Sequence, residues 1–363
     1  MKRNSKFLAL VLSVAMLCMV LAGCGTTSDN SSSSAQDTKN TNSTRVITDM
    51  SGAEVEIPAE VDTYVESWFA HNAVDVMLDD AKGMLVTCAN PAMYQWMYLV
   101  CDNMSKTTYA EFADGMNLEE IIAQDPDVVF GSNEDFREMF ENVGIPYVNV
   151  MFSNLEEMKE SITLTADILG DKSPAIAKKY IKYLDEQVDS IEKVASTIAD
   201  SDKATVLHGD ALIDLTVDGG DTIIDEWIRD VGAINVTAEE VTGNKQTVTM
   251  EQILNWNPDF IITGKNQAEA DEILSNGTWS AIKAVQDGNV VVNPKGVFTW
   301  DRYGVELALQ LQWAAQLIYP DQFSDLDIVK ATQKFYSDFF NYSLTEEDVN
   351  HMLSRENPDG SAN

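Results

Sequence analysis

The chain has 363 residues, 45% of them hydrophobic, and a formal net charge of -35 from 59 acidic against 24 basic side chains. A surface this acidic repels phosphate backbones and anionic lipid headgroups, which excludes nucleic acid as a partner and electrostatic adhesion as a means of membrane contact. The length leaves room for two domains with a sizeable core.

At the N-terminus, Lys2, Arg3 and Lys6 precede an apolar run from Phe7 to Val20. That is the layout of an export signal, too short and wrongly flanked for a spanning helix. Leu21-Ala22-Gly23-Cys24 resembles the lipobox of bacterial lipoproteins, in which the cysteine is acylated and becomes the new first residue. The resemblance implies a signal peptide over 1–23 and a mature protein held to the outer side of the cell membrane by lipid on Cys24. Residues 24–44 are rich in Ser, Thr, Asn and Asp and cannot bury enough surface to order themselves, so they read as a flexible tether. Cys88 and Cys101 could pair outside the cytoplasm or stand as two buried thiols, and their spacing leaves both readings open.

From Arg45 to Thr63 short extended pieces broken by Ser51-Gly52 and Pro58 predict a hairpin. Thr63–Ser67 predicts a buried strand, followed by a Trp68-Phe69-Ala70-His71-Asn72 loop and a helix to about Asp80. Strands are expected at Lys82–Cys88, Asp127–Phe130 and Pro146–Val150, and helices at Tyr94–Met104, Leu118–Gln124 and Glu134–Asn142. Strands alternating with helices at this spacing indicate βα units on a mostly parallel sheet. Ser173-Pro174 then opens a single helix, with a stripe of Ala177, Ile181, Leu184, Val188, Ile191, Ala195 and Ile198 over some 38 Å. A second strand-helix series covers Ala204–His208, Thr222–Asp230, Met250–Asn255, Asp259–Thr263, Trp279–Ala284 and Val290–Asn293. Helical patterns close the chain at Glu306–Ile318, Ile328–Phe340 and Glu346–Ser354. The expected organisation is an α/β lobe over 45–172, a linking helix over 173–200, a second α/β lobe over 201–318 and C-terminal helices over 319–363.

An internal repeat supports two related lobes. Residues 117–130 align without gaps on residues 249–262, with Glu119/Glu251, Ile121/Ile253, Pro126/Pro258 and Asp127/Asp259 identical. Each copy opens with a capping box, Asn117 with Glu120 and Thr249 with Gln252. Glu119 and Glu251 are then free of capping duty at the second helical position, one carboxylate on each lobe.

The order of lipobox, tether, lobe, single long helix and lobe resembles the periplasmic-binding family of iron-siderophore, haem and cobalamin ABC importers. The segments Asn117–Phe130, Thr222–Asn235, Met250–Thr263 and Pro294–Arg302 are similar to its characteristic stretches. The resemblance implies a class III substrate-binding fold, a stiff body whose lobes flex little, and a monomeric receptor. It also implies a partner, a permease dimer with its ATPase subunits, onto which Glu119 and Glu251 would dock.

Ligands of two-lobed α/β proteins settle at the carboxyl ends of the strands. Three loops there carry aromatic and hydrogen-bonding groups, and from them come the candidates Trp68, His71, Asn72, His208, Asp210, Trp300, Arg302 and Tyr303, with Tyr94, Trp96 and Asn133 as lesser ones. Trp and Tyr supply flat walls and Arg302 a fork for anions, although large aromatics also fill cores. Of the three histidines only His71 and His208 could meet, so a bare metal ion stays open as an alternative but is not favoured, and no metal ligands are singled out. A preformed iron or cobalt chelate fits better, namely a ferric siderophore, haem or cobalamin. If haem were held through iron, Tyr303 or His71 could serve as its ligand. An oxyanion such as molybdate stays open through Arg302 and helix N-termini. No resident cofactor is expected, and no catalytic motif such as Gly-x-Ser-x-Gly or His-Glu-x-x-His is present, so the chain does not read as an enzyme. A ligand-sensing lipoprotein without a permease is the remaining alternative.

Overall fold

The computed structural model of the chain describes residues 43–112 and 117–363. The export signal, Cys24 and the tether up to residue 42 lie outside the described residues. Strands β1 (Thr44–Thr48) and β2 (Glu54–Pro58) form the expected antiparallel hairpin, turned at Gly52 with φ +84°.

The first lobe contains β3 (Tyr64–Glu66), α1 (Asn72–Asp79), β4 (Met84–Thr87), α2 (Gln95–Val100) and β5 (Thr108–Tyr109). It continues with α3 (Leu118–Ile122), β6 (Val128–Gly131), α4 (Arg137–Glu141) and β7 (Tyr147–Asn149). Its sheet runs β5-β4-β3-β6-β7 with every pairing parallel. The central strands are short apolar runs buried on both faces, as a covered parallel sheet requires. Two helices follow, α5 (Leu155–Leu169) and α6 (Ser173–Ala195). Helix α5 is absent from the expectations above, although Asn154 caps it and Leu155, Met158, Ile162 and Ala166 line its buried face.

The second lobe holds β8 (Thr205–Gly209), β9 (Thr216–Val217), α7 (Ile223–Asp230), β10 (Ile234–Asn235) and β11 (Gln246–Thr247). After these come α8 (Met250–Trp256), β12 (Phe260–Thr263), α9 (Gln267–Ser275), α10 (Lys283–Asp287) and β13 (Val290–Val292). The sheet order is β10-β8-β12-β13, again all parallel, while β9 and β11 pair separately. Helices α11 (Leu307–Ile318), α12 (Ile328–Phe339) and α13 (Glu346–Leu353) complete the chain. Three expectations are corrected. Tyr94–Met104 is α2 plus a separate 3-10 turn at Asp102–Lys106, α9 is an unanticipated helix, and Trp279–Ala284 is mostly turn.

The repeat has a structural meaning. β4-β3-β6-β7 and β10-β8-β12-β13 are the same topology, and the aspartate common to both copies of the repeat does one job in both lobes. Asp127 Oδ2 accepts from the backbone N–H of Asp62 and Thr63, at 2.8 and 2.9 Å, and from Thr63 Oγ1 at 3.1 Å. Asp259 Oδ2 accepts from Thr205 N and Thr205 Oγ1, both at 2.8 Å. Each carboxylate ties the start of its strand to the start of the central strand beside it. The caps differ: Thr249 and Gln252 form the full box, whereas the Glu120 carboxylate meets the Asn117 side-chain amide instead of its backbone N–H.

Helix α6 is about 35 Å long and buries Ala177, Tyr180, Leu184, Ile191 and Ala195. It packs on α1 and α5 of the first lobe and on α7 and α11 beyond it. One continuous core therefore runs along it, from Tyr64 and Phe130 to Val206 and Trp227. Each sheet keeps a smaller core of its own on its other face, around Val129 and Tyr147 and around Ile261 and Trp279. Cys88 and Cys101 are both buried, unpaired thiols. No helix among the described residues is long and apolar enough to cross a membrane.

Candidate functional site

In each lobe the carboxyl ends of the central strands lead into the loops singled out by sequence. On the first lobe, β3 runs into Trp68, which is half-buried. His71, Asn72 and Trp96 lie deeper, each 0% exposed, and cannot reach a ligand from where they stand. His71 lies between Glu66 Oε2 at 2.6 Å and Thr165 Oγ1 at 2.9 Å, and its complete burial behind Trp68 closes it to the iron of a haem in the cleft. Asn72 staples the loop, donating to the carbonyls of Trp68 and Phe69 at 3.0 and 3.3 Å. Trp96 is a core residue whose Nε1 donates to the Glu356 carbonyl at 2.8 Å. Asn133 is exposed and caps the turn after β6, accepting from Asp135 N at 3.0 Å.

On the second lobe the dominant feature is a buried charge hub centred on Arg302. Its Nη1 donates to Asp210 at 2.8 Å, its Nη2 to Asp218 at 3.0 Å, and its Nε and Nη2 to Asp301 at 3.0 and 2.9 Å. His208 joins the same acids, with Nδ1 at 2.9 Å from Asp218 and Nε2 at 3.2 Å from Asp301. Burial alone would lower the His208 pKa, but the two carboxylates raise it to about 9. Arg302 and His208 in turn hold Asp301 well below the ordinary carboxylate range despite its burial. Lys245 approaches Asp210 at 3.4 Å, which brings three acids and three cations together. Gly264, at the end of β12, makes room for this hub, since a Cβ there would run into Asp210. The expectation that Arg302 offers a free fork to anions is corrected, because its donors are already taken by three aspartates. His208 likewise faces its own lobe's acids, so it and His71 belong to separate networks.

Trp300 is also a core residue, 0% exposed, with Nε1 donating to Glu306 at 3.1 Å. Glu306 pins the whole loop by also accepting from the Val297 and Phe298 N–H groups and from the Tyr336 hydroxyl. That staple aims Tyr303, held at φ +48°, toward the first lobe. There Trp68, Phe152 and Tyr303 pack together with ring centroids 5.2–5.8 Å apart. A second set lies beside it: Tyr94 stacks on Phe69 at 6.3 Å and on Phe298 at 5.9 Å. Trp68 and Tyr94 from one lobe thus meet Tyr303 and Phe298 from the other, and this aromatic seam is where the strand ends face each other. A groove of about 560 Å³ near Lys193, Lys203 and Arg229 lies instead at the entering end of β8, on the far side of the lobe.

Two basic residues at the seam were missed. Lys295 is buried, donates to the Met93 carbonyl at 2.7 Å and lies 5.1 Å from the Tyr94 ring centroid. Burial and nearby Arg355 lower its pKa to about 7. Arg355 is 8% exposed and donates to the Asn293 carbonyl at 3.1 Å, with no carboxylate in ion-pair reach among the described residues. It stands close enough to feel the charges of Asp301, Asp210 and Arg302. Lys295 sits in the Pro294–Arg302 stretch that carries the family resemblance. Nothing in the local pattern of the C-terminal tail marks Arg355.

Two α/β lobes on one long helix, facing each other across an aromatic and basic seam, define a solute receptor. Residues 105–296 match the Periplasmic binding protein family, and the chain belongs to it. It is similar to the molybdate-binding protein MolA of Haemophilus influenzae, at 24% identity over 84% of this chain and 93% of that protein. Among solved structures it resembles a periplasmic solute binding protein from Veillonella parvula, with TM-score 0.73 and 25% identity over 87% of this chain and 99% of the other. It also shares the fold of Helicobacter pylori CeuE with Ni(II) bound, with TM-score 0.70 and 18% identity over 83% and 98%. The chain is accordingly an extracytoplasmic solute-binding component of an ABC importer, with a permease as partner, and not an enzyme.

Proposed function

We propose that this receptor, anchored by lipid on Cys24, captures an anionic metal chelate at the aromatic seam and delivers it to its permease. The observation that carries this reading is Arg355, a buried guanidinium beneath the Tyr94 side of the seam without a carboxylate partner among the described residues. A buried charge is costly unless it is matched, so an anionic group on the ligand is its natural complement. The flat faces of Trp68, Phe69, Tyr94, Phe298 and Tyr303 suit the organic framework of a chelate. Kinship with MolA favours a second reading, a bare oxyanion such as molybdate held by Arg355 and Lys295.

Intrinsic tryptophan fluorescence separates the two, because Trp68 lies in the seam. Saturable quenching by a ferric siderophore, haem or cobalamin supports the first reading, and saturation by molybdate alone supports the second. In either case Arg355→Met should weaken binding about tenfold or more. Unchanged affinity in that variant would remove Arg355 from the site.

Docking is proposed to use Glu119 and Glu251. Both are exposed at the second position of their helices, one on each lobe. Replacing both by Ala should abolish stimulation of the transporter ATPase while leaving solute affinity intact. Full stimulation by the double variant would count against docking through these carboxylates.

A further inference from the structure

Directly behind Trp68, the first lobe holds a set of polar groups that solute capture does not use. Glu66 ends β3, His71 immediately precedes α1, and Asp75 lies one turn into that helix. The short connection between strand and helix brings the three side chains together, and all are 0% exposed. One ligand atom from each lies within 4.8 Å of the other two.

Their hydrogen bonds define what is missing. Thr165 Oγ1 donates its single hydrogen to the Ser161 carbonyl at 3.0 Å, so toward His71 it must accept, from Nε2–H at 2.9 Å. In the neutral ring Nδ1 is then a bare lone pair, facing Glu66 Oε2 at 2.6 Å and Asp75 Oδ1 at 3.7 Å. Lone pair against carboxylate is repulsive unless something positive stands between them. Both oxygens of Asp75 are buried without a hydrogen-bond partner. Among the described residues, neither carboxylate has a lysine or arginine in ion-pair reach. A protonated imidazole would satisfy Glu66 alone and leave Asp75 unmatched.

We infer that Glu66, His71 and Asp75 bind one divalent transition-metal ion. Two carboxylates and a neutral imidazole balance a charge of +2, and one nitrogen with oxygen donors suits zinc or manganese better than calcium or magnesium. The surroundings are those of a metal site: Thr165 fixes the tautomer that leaves Nδ1 free, and the Trp68 N–H holds Glu66 Oε1 at 2.7 Å. The His71 ring lies nearly parallel to Trp68, centroids 6.2 Å apart and planes 8° apart. An ion on Nδ1 would therefore brace the loop that presents Trp68 to the seam. It is a resident structural ion, distinct from any metal carried as cargo.

The test is metal content of the full protein, refolded from denaturant and chelator in micromolar Zn2+, Mn2+ or Co2+ and then desalted. Wild type should retain one ion per chain and unfold at a higher temperature than its metal-free form. Asp75→Asn should lose about tenfold or more in affinity and show no such shift. Arg355→Met, which addresses the seam, should retain the ion, so that failure of this proposal and failure of the solute reading are told apart. Should Asp75→Asn not fold, wild type alone decides, since Co2+ at this site should quench fluorescence that Trp68→Phe removes. Metal-free wild type, as a shared proton between Glu66 and Asp75 would leave it, overturns the inference. So does equal metal content in wild type and Asp75→Asn.

Discussion

Arg302 illustrates how a residue type can suggest one role and its surroundings assign another. A buried guanidinium satisfied by Asp210, Asp218 and Asp301 organises the second lobe's face of the seam rather than contacting a solute. Arg302→Met would leave buried carboxylates uncompensated and should cost about 3–5 kcal/mol, read from urea unfolding. His208 adds a pH dependence. Its folded pKa of about 9 lies above the ordinary histidine value, so its protonation favours the folded state. That contribution is whole below pH 6.5 and lost as pH rises through 9. Stability should therefore fall across this window by on the order of 3 kcal/mol, and His208→Gln should flatten the profile. An unchanged slope in the variant would mean another group titrates there.

At the level of elements, the two lobes solve the same problem with the same part. A parallel strand begins with backbone N–H groups that its neighbours do not always reach, and Asp127 and Asp259 satisfy them. Each replacement by Ala should cost about 2 kcal/mol, as for hydrogen bonds to a charged acceptor. The double variant should lose close to the sum, because the two sites share no partner. A marked departure from additivity in urea titrations would show that the lobes are coupled through these ends.

At the scale of the folded body, the two lobes are joined through their core. Helix α6 does not merely connect the lobes; its buried face belongs to a core that both share. The tail adds a second tie on the seam side, where Trp96 of the first lobe bonds the Glu356 carbonyl and Arg355 bonds that of Asn293 in the second. Leu184→Ala, at the middle of the rod, should cost about 2–5 kcal/mol and shift one unfolding transition rather than split it. Two resolved transitions in calorimetry would show the lobes to be independent units.

Local chemistry made much of this legible. The alternation of short buried strands with capped helices, the single striped helix and the repeat carrying Asp127 and Asp259 depend on neighbouring residues, and a sequence displays its neighbours. The fate of the site residues depended on partners far along the chain. Arg302 is matched by acids 84 and 92 positions away, His71 is locked by Thr165 across 94, and Trp96 is buried by a carbonyl across 260. Whether an arginine, histidine or tryptophan meets solvent, solute or another side chain is a question of which groups share its few ångströms of space, and only the packing of both lobes around one helix decides that.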